Sequence, residues 1–178
     1  MERRKAWQFF QQGLCGGLKI ILKGLRSVLQ MKIFDYFESE MPEWIDKIRA
    51  CDWSAAKFLA DLLEQNRVHE ILGNGSLFIM ADGERLVSFV TLTQRDCIKD
   101  NNLYPWIGFV FTSPEYRGNR YSGEFIGYAC DKAKNQGFEN AYIATDHIGL
   151  YEKYGFEYVE SRTDIYGEES RIYNTTRI

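Results

Sequence analysis

The chain has 178 residues and is 45% hydrophobic, 26% charged and 15% aromatic, with only 3 Pro. This excludes disorder, collagen-like repetition and a disulfide-stapled miniprotein. The net charge of −3 argues against a dedicated nucleic-acid binder, which would carry a strongly basic face, and no apolar run reaches the roughly 18–20 residues that span a bilayer. Cys15, Cys51, Cys97 and Cys130 show no paired spacing, so no zinc or iron–sulfur set is expected. The thiols read as reduced, in a cytoplasmic protein.

Residues 1–30 differ from the rest. They carry one acid against six bases, a local balance of +5 that leaves −8 for the remainder. Leu18, Ile21, Leu22, Leu25, Val28 and Leu29 recur at helical spacing among Lys19, Lys23 and Arg26, the pattern of a basic amphipathic helix that can lie on an anionic membrane. A signal peptide fits poorly, because Gln11, Gln12 and Lys19 interrupt the apolar stretch. The change of character at Met31 favours a third reading: residues 1–30 form a leader outside the fold, and one domain spans residues 31–178.

From Met31 to Phe37 the pattern predicts a strand. Asp52 or Ser54 can cap a helix through Ala55, Phe58, Leu59, Leu62 and Leu63, which Asn66 ends before a further turn or two over Val68–Leu72. Two apolar runs, Leu77–Met80 and Leu86–Leu92, flank Asp82-Gly83-Glu84 and predict a hairpin. Trp106–Phe111 is a further strand, stopped by Pro114, and a helix is expected from about Ser122 to Asn135, closed by Gly137. Asn140–Ala144 reads as a strand, His147–Tyr154 as a helix closed by Gly155, and Phe156–Ser161 and Arg171–Thr176 as two last strands. This order implies a mixed α/β sheet with helices on its faces. The strand–helix–strand unit from Trp106 to Ala144 implies a parallel pair, with ligands expected near the strand ends at Ser113–Gly123.

Pro114-Glu115-Tyr116-Arg117-Gly118-Asn119-Arg120-Tyr121-Ser122-Gly123 joins a strand to a helix. A helix start offers unpaired N–H groups and the positive end of the macrodipole. With Gly118 free to turn left-handed, consecutive amides can converge on a phosphate, and Arg117 and Arg120 add charge. An ordinary solvated turn with a sterically required glycine accounts equally well for the same residues.

This turn, read with Leu150-Tyr151-Glu152-Lys153-Tyr154-Gly155-Phe156 about thirty residues later, resembles the two signatures of the GNAT family of N-acetyltransferases. The first is Arg/Gln-x-x-Gly-x-Gly/Ala, often within P-x-Y-R-G-x-G-x-G, and the second is a helix ending in L-Y-E-K-x-G-F. The resemblance covers about Met31 to Ile178. Arg120 stands where the family has its middle glycine, Ser122 where the last glycine or alanine falls, and Ala144 where an asparagine is usual.

The resemblance implies a mixed, mostly antiparallel twisted sheet of about seven strands flanked by about four helices, the acyl-CoA N-acyltransferase architecture. It implies acetyl-CoA as co-substrate, with no metal, and an acceptor that is a small-molecule amine or a peptide or protein amino group; the chain would act as a monomer or homodimer. Arg117, Gly118, Asn119, Arg120, Tyr121, Ser122 and Gly123 would hold the diphosphate. The backbone of Phe109, Val110 and Thr112 would pair with the pantetheine arm, and a bulge in that strand would expose an N–H to the thioester. Tyr151 matches the tyrosine that protonates the departing thiolate, the alternative being a tyrosine that simply packs. The base is open: Trp106–Phe111 holds no acid, and Asp146 and His147, at the end of the next strand, can serve either as base or as the cap and first turn of a helix. A non-catalytic acyl-CoA-binding module of the same fold is the alternative.

Overall fold

The computed structural model describes residues 31–175 except 40 and 101; the expectations for residues 1–30 lie outside them. The seven strands are β1 (Met31–Asp35), β2 (Gly75–Asp82), β3 (Arg85–Thr93), β4 (Trp106–Thr112), β5 (Tyr142–Thr145), β6 (Phe156–Thr163) and β7 (Glu169–Thr175). They form one sheet in the order β1-β2-β3-β4-β5-β7-β6. β4 and β5 run parallel, whereas β2/β3, β3/β4, β5/β7 and β6/β7 are antiparallel.

Five α-helices lie among the described residues: α1 (Tyr36–Ser39), α2 (Glu43–Arg49), α3 (Ser54–Glu64), α4 (Val68–Leu72) and α5 (Tyr121–Asn135). Alternation along the strands assigns them to two faces. On β2, Leu77, Ile79 and Ala81 join a core with Trp44 and Ile48 of α2, Leu59, Leu62 and Leu63 of α3, and Phe89 and Phe111 of the sheet. Phe78, pointing the other way, meets Tyr128 of α5 edge-on. That helix buries Phe125, Ile126, Ala129 and Ala133. Among the described residues no helix is long and apolar enough to cross a membrane.

Three local expectations need correction. The first strand stops at Asp35, whose carboxylate accepts the Phe37 N–H at 3.0 Å and turns the chain into the single turn of α1. Helix α2 was not expected; it is short, and only Trp44 and Ile48, one turn apart, are fully buried, with Ile45 packed at the edge of the same core. Neither Asp52 nor Ser54 caps α3. Its N-cap is Trp53, whose carbonyl accepts the Lys57 N–H and whose ring stacks on Phe111 at 5.8 Å and 11°.

The end of β4 is held in place by polar contacts to β3. Ser113 donates its N–H to Val87 O at 2.9 Å and its hydroxyl to Leu86 O at 2.6 Å, and it is buried. The Ser88 hydroxyl bonds to Phe111 O. Ser113→Ala leaves the Leu86 carbonyl without its side-chain donor, so a loss of about 1–2 kcal/mol is expected, read as a lower urea midpoint with unchanged slope; an unchanged midpoint would show that Ser113 does not anchor the strand.

Candidate active site

β4 pairs with β3 along most of its length but with β5 only at Trp106–Tyr142. Beyond that point the two parallel strands diverge, and the β4 edge facing β5 is open. The pairing with β3 is irregular at the same place. Phe89 opposes Phe111 and Thr91 opposes Gly108, so Phe109 and Val110 together face Val90 alone. This is a β-bulge, and it re-aims backbone groups out of the ladder. Phe109 holds φ +49, a left-handed conformation that costs a non-glycine residue about 1–2 kcal/mol. Its ring packs edge-on against Trp53 at 6.2 Å, which helps hold it there.

Past β4, a 3-10 turn (Pro114–Tyr116) leads into α5. The Tyr116 hydroxyl donates to Asp82 at 3.2 Å and ties this turn to the β2–β3 hairpin. From Gly118 to Gly123 the backbone N–H groups donate to no acceptor among the described residues; the first helical bond comes from Glu124 to Arg120 O at 3.1 Å. Gly118 sits at φ +84 with open space where a Cβ would project. Arg120, at φ +64 and ψ +15, takes the left-handed conformation that a glycine would supply without strain, and it forms the N-cap of α5. The result is a row of free amides at the positive end of a 15-residue helix, in a turn that also carries Arg117 and Arg120.

The other expected contact residues have local partners. The Thr112 hydroxyl shares a bond with Ser88 at 3.2 Å, and its carbonyl accepts Arg117 Nε at 3.1 Å. Asn119 closes the turn by donating to Tyr116 O at 3.0 Å. The Tyr121 ring meets Tyr116 edge-on. Ser122 shares a hydrogen bond with the Tyr154 hydroxyl at 3.3 Å. Gly123 lies under the Tyr154 ring, which a Cβ there would strike, so this glycine is explained by packing.

Residues 147–150 are not helical, contrary to expectation. Gly149 takes φ +75, Thr145 Oγ1 accepts the His147 N–H at 3.1 Å, and only Tyr151–Tyr154 forms a 3-10 turn. Asp146 therefore caps no helix. It pairs with His147 Nδ1 at 2.9 Å, and both side chains are exposed. Tyr151 is buried, edge-on to Tyr154 and Phe156. Burial pushes its phenol up to about 12, with Tyr154 and the carboxylates of Asp96 and Asp146 adding to the rise and Thr145 opposing it.

Asp96, in the loop after β3, belongs to no sequence motif. It is half-buried, its Oδ1 accepts the Cys97 N–H at 2.6 Å, and among the described residues it has no cationic partner. Its other oxygen occupies the place where a side chain at Gly108 would project, and the Thr91 hydroxyl lies 3.1 Å from the same point. Burial raises the Asp96 carboxyl above its ordinary value, a rise the Cys97 N–H partly offsets. The available signal was Gly108, since a glycine inside a strand marks close approach of another group.

The family model for the acetyltransferase (GNAT) domain matches residues 35–159. No curated protein matches the sequence. Among solved structures, a GNAT family acetyltransferase from Elizabethkingia anophelis with acetyl-CoA bound aligns at TM-score 0.60 and 15% identity over 84% of this chain and 99% of its own. An acetyltransferase from Streptococcus agalactiae aligns at 0.58 and 22% identity over 82% and 98%. An aminoglycoside 6'-acetyltransferase type Ii aligns at 0.61 and 17% identity over 83% and 97%.

The raised Tyr151 phenol has a consequence for stability. A group protonated longer in the folded than in the unfolded chain contributes fully below its unfolded value, and that contribution fades as pH rises from about 10 to about 12. The stability advantage of wild type over Tyr151→Phe in urea unfolding should therefore shrink across that window; a constant difference would show that the phenol is not perturbed.

Proposed function

The chain belongs to the GNAT acetyltransferase family, and on that premise we propose that it is an acetyl-CoA-dependent N-acetyltransferase that moves the acetyl group to a primary amine by direct attack. The observation that carries the reading is the coincidence of two unsatisfied backbone features: the open, bulged edge of β4 and the row of free amides from Gly118 to Gly123. Both suit acetyl-CoA. The amide row and the guanidinium groups of Arg117 and Arg120 have the charge and geometry for a diphosphate, and the β4 edge at Phe109, Val110 and Thr112 can accept an extended amide-bearing arm as an added strand.

Acetyl-CoA supplies, when bound, an acyl group activated as a thioester. The residues around the gap do the rest. A backbone N–H freed at the Phe109–Val110 bulge donates a hydrogen bond to the acyl oxygen as negative charge develops there. Tyr151 holds its proton at any physiological pH. Because its phenol stands near 12, above the roughly 8.5 of an ordinary thiol, its main service is a hydrogen bond to the departing sulfur, with a proton following from solvent. Residues 31–178 carry a net −8. This favours a cationic amine as acceptor.

An acetyl-CoA-dependent thiol-release screen over small amines, aminoglycosides and lysine peptides tests the proposal. Release with at least one primary amine is expected. Tyr151→Phe should lower kcat by about 10²-fold with acetyl-CoA affinity nearly unchanged. Gly118→Val, whose branched side chain opposes the left-handed turn, should weaken acetyl-CoA binding by about tenfold or more. Acetyl-CoA binding without release across the panel would favour the non-catalytic acyl-CoA-binding module.

A further inference from the structure

We propose that Asp96 is the catalytic proton acceptor for the incoming amine, placed over the β4 bulge by the absence of a side chain at Gly108. The assignment rests on the N-acetyltransferase reading and names the group that reading leaves out, since β4 itself carries no acid.

The placement is specific. The Asp96 carboxylate oxygen fills the Cβ position of Gly108, one residue before the first bulged residue, Phe109. Thr91, directly across the ladder from Gly108, presents its hydroxyl to the same point, and this hydroxyl is buried with no partner among the described residues. Two oxygen acceptors of different chemistry therefore converge beside the backbone that faces the gap. One is a carboxyl without a cationic partner, and the other is a hydroxyl without a hydrogen-bond partner. A buried unpartnered hydroxyl and a half-buried unpaired carboxylate are both unfavourable in an apo protein; a bound ammonium or amine, with several N–H donors, satisfies both. The titratable groups that face Asp96 are the Tyr151 phenol from the 3-10 turn and the thiol of the adjacent Cys97, both neutral at physiological pH. Cys97 is held protonated, pushed to about 12, chiefly by burial and then by Asp96 itself.

In the reaction the Asp96 carboxylate takes one proton from the acceptor nitrogen, whose lone pair forms the new C–N bond while the C–S bond breaks and its electron pair leaves on sulfur. The sulfur is stabilised by the Tyr151 hydroxyl and gains a proton. An acceptor that arrives as an ammonium loses a second proton, and the net reaction releases one proton to solvent. A carboxyl raised by burial is a better match to this task than an exposed one, because its basicity lies closer to working pH.

Asp96→Asn keeps the shape and the acceptor for the Cys97 N–H but removes the base; Gly108→Ala keeps the acid and pushes it aside. With the best amine of the screen at neutral pH, each should lower kcat/KM by about 10²-fold or more, with the acetyl-CoA Kd by calorimetry within about twofold of wild type, and the deficit of Asp96→Asn should narrow at high pH, where the amine is already neutral. Folding gives a second readout. Because the Asp96 carboxyl is raised in the folded state, wild-type stability falls as pH climbs from the ordinary carboxylate range near about 4 through the raised value. Asp96→Asn should thus melt above wild type at about pH 8 and converge with it near about pH 4. An active wild type with an equally active Asp96→Asn, or identical melting profiles for the two, overturns the assignment of Asp96 alone. A wild type that binds acetyl-CoA yet acetylates no amine overturns the transferase reading, and this assignment with it.

Discussion

A strand inside a sheet must find partners for its N–H and C=O groups on both sides. β4 finds them on β3 and, with β5, at a single residue pair. That unmet hydrogen-bonding capacity, left by the divergence of two parallel strands and redirected by the bulge at Phe109–Val110, is the constraint on which the rest of the site depends. The fold tolerates it because the surroundings hold β4 rigidly: Ser113 and Ser88 tie its end to β3, and the rings of Trp53, Phe89 and Phe111 stack beneath it. Phe109 keeps a left-handed backbone within this frame. The strain is local, and it sits where a partner strand is missing.

The acetyltransferase fold thus supplies two kinds of unfinished backbone within one crossover unit. Along β4 the groups are those of a sheet edge, suited to an extended arm; at the start of α5 they are those of a helix N-terminus, suited to an anion. The short turn between them is fixed by Tyr116 on Asp82 and by Asn119 on Tyr116 O. Tyr154 connects α5 to the segment that carries Tyr151: its ring covers Gly123 and its hydroxyl meets Ser122. The turn that suits the diphosphate and the phenol suited to sulfur are therefore mechanically linked.

What was legible in the sequence was local. The Gly83 hairpin, the strand ended by Pro114, the turn into α5 and the chain reversal at Gly155 all announce themselves through residues with restricted or permissive backbones, and the parallel pair follows from the strand–helix–strand order. Helix α2 was hidden because it is only seven residues long and its apolar set is Trp44, Ile45 and Ile48, too short a run for a helical period to show. The segment after β5 looked helical because Leu150, Tyr151 and Tyr154 have the right spacing, but Gly149 at φ +75 keeps the helix from starting earlier. The left-handed backbones of Phe109 and Arg120 were illegible, because neither residue type prefers that conformation and tertiary packing imposes it. Asp96 was legible only indirectly: Gly108 inside a strand marks the close approach of some group, but no local pattern says that the group is the Asp96 carboxyl.

Most direct is a crystal structure of the protein with coenzyme A bound. The diphosphate is expected on the amides of Gly118–Gly123 and the pantetheine paired with β4 beyond Trp106, its sulfur near the Tyr151 hydroxyl. Coenzyme A lodged elsewhere, with β4 still unpaired on that side, would contradict it.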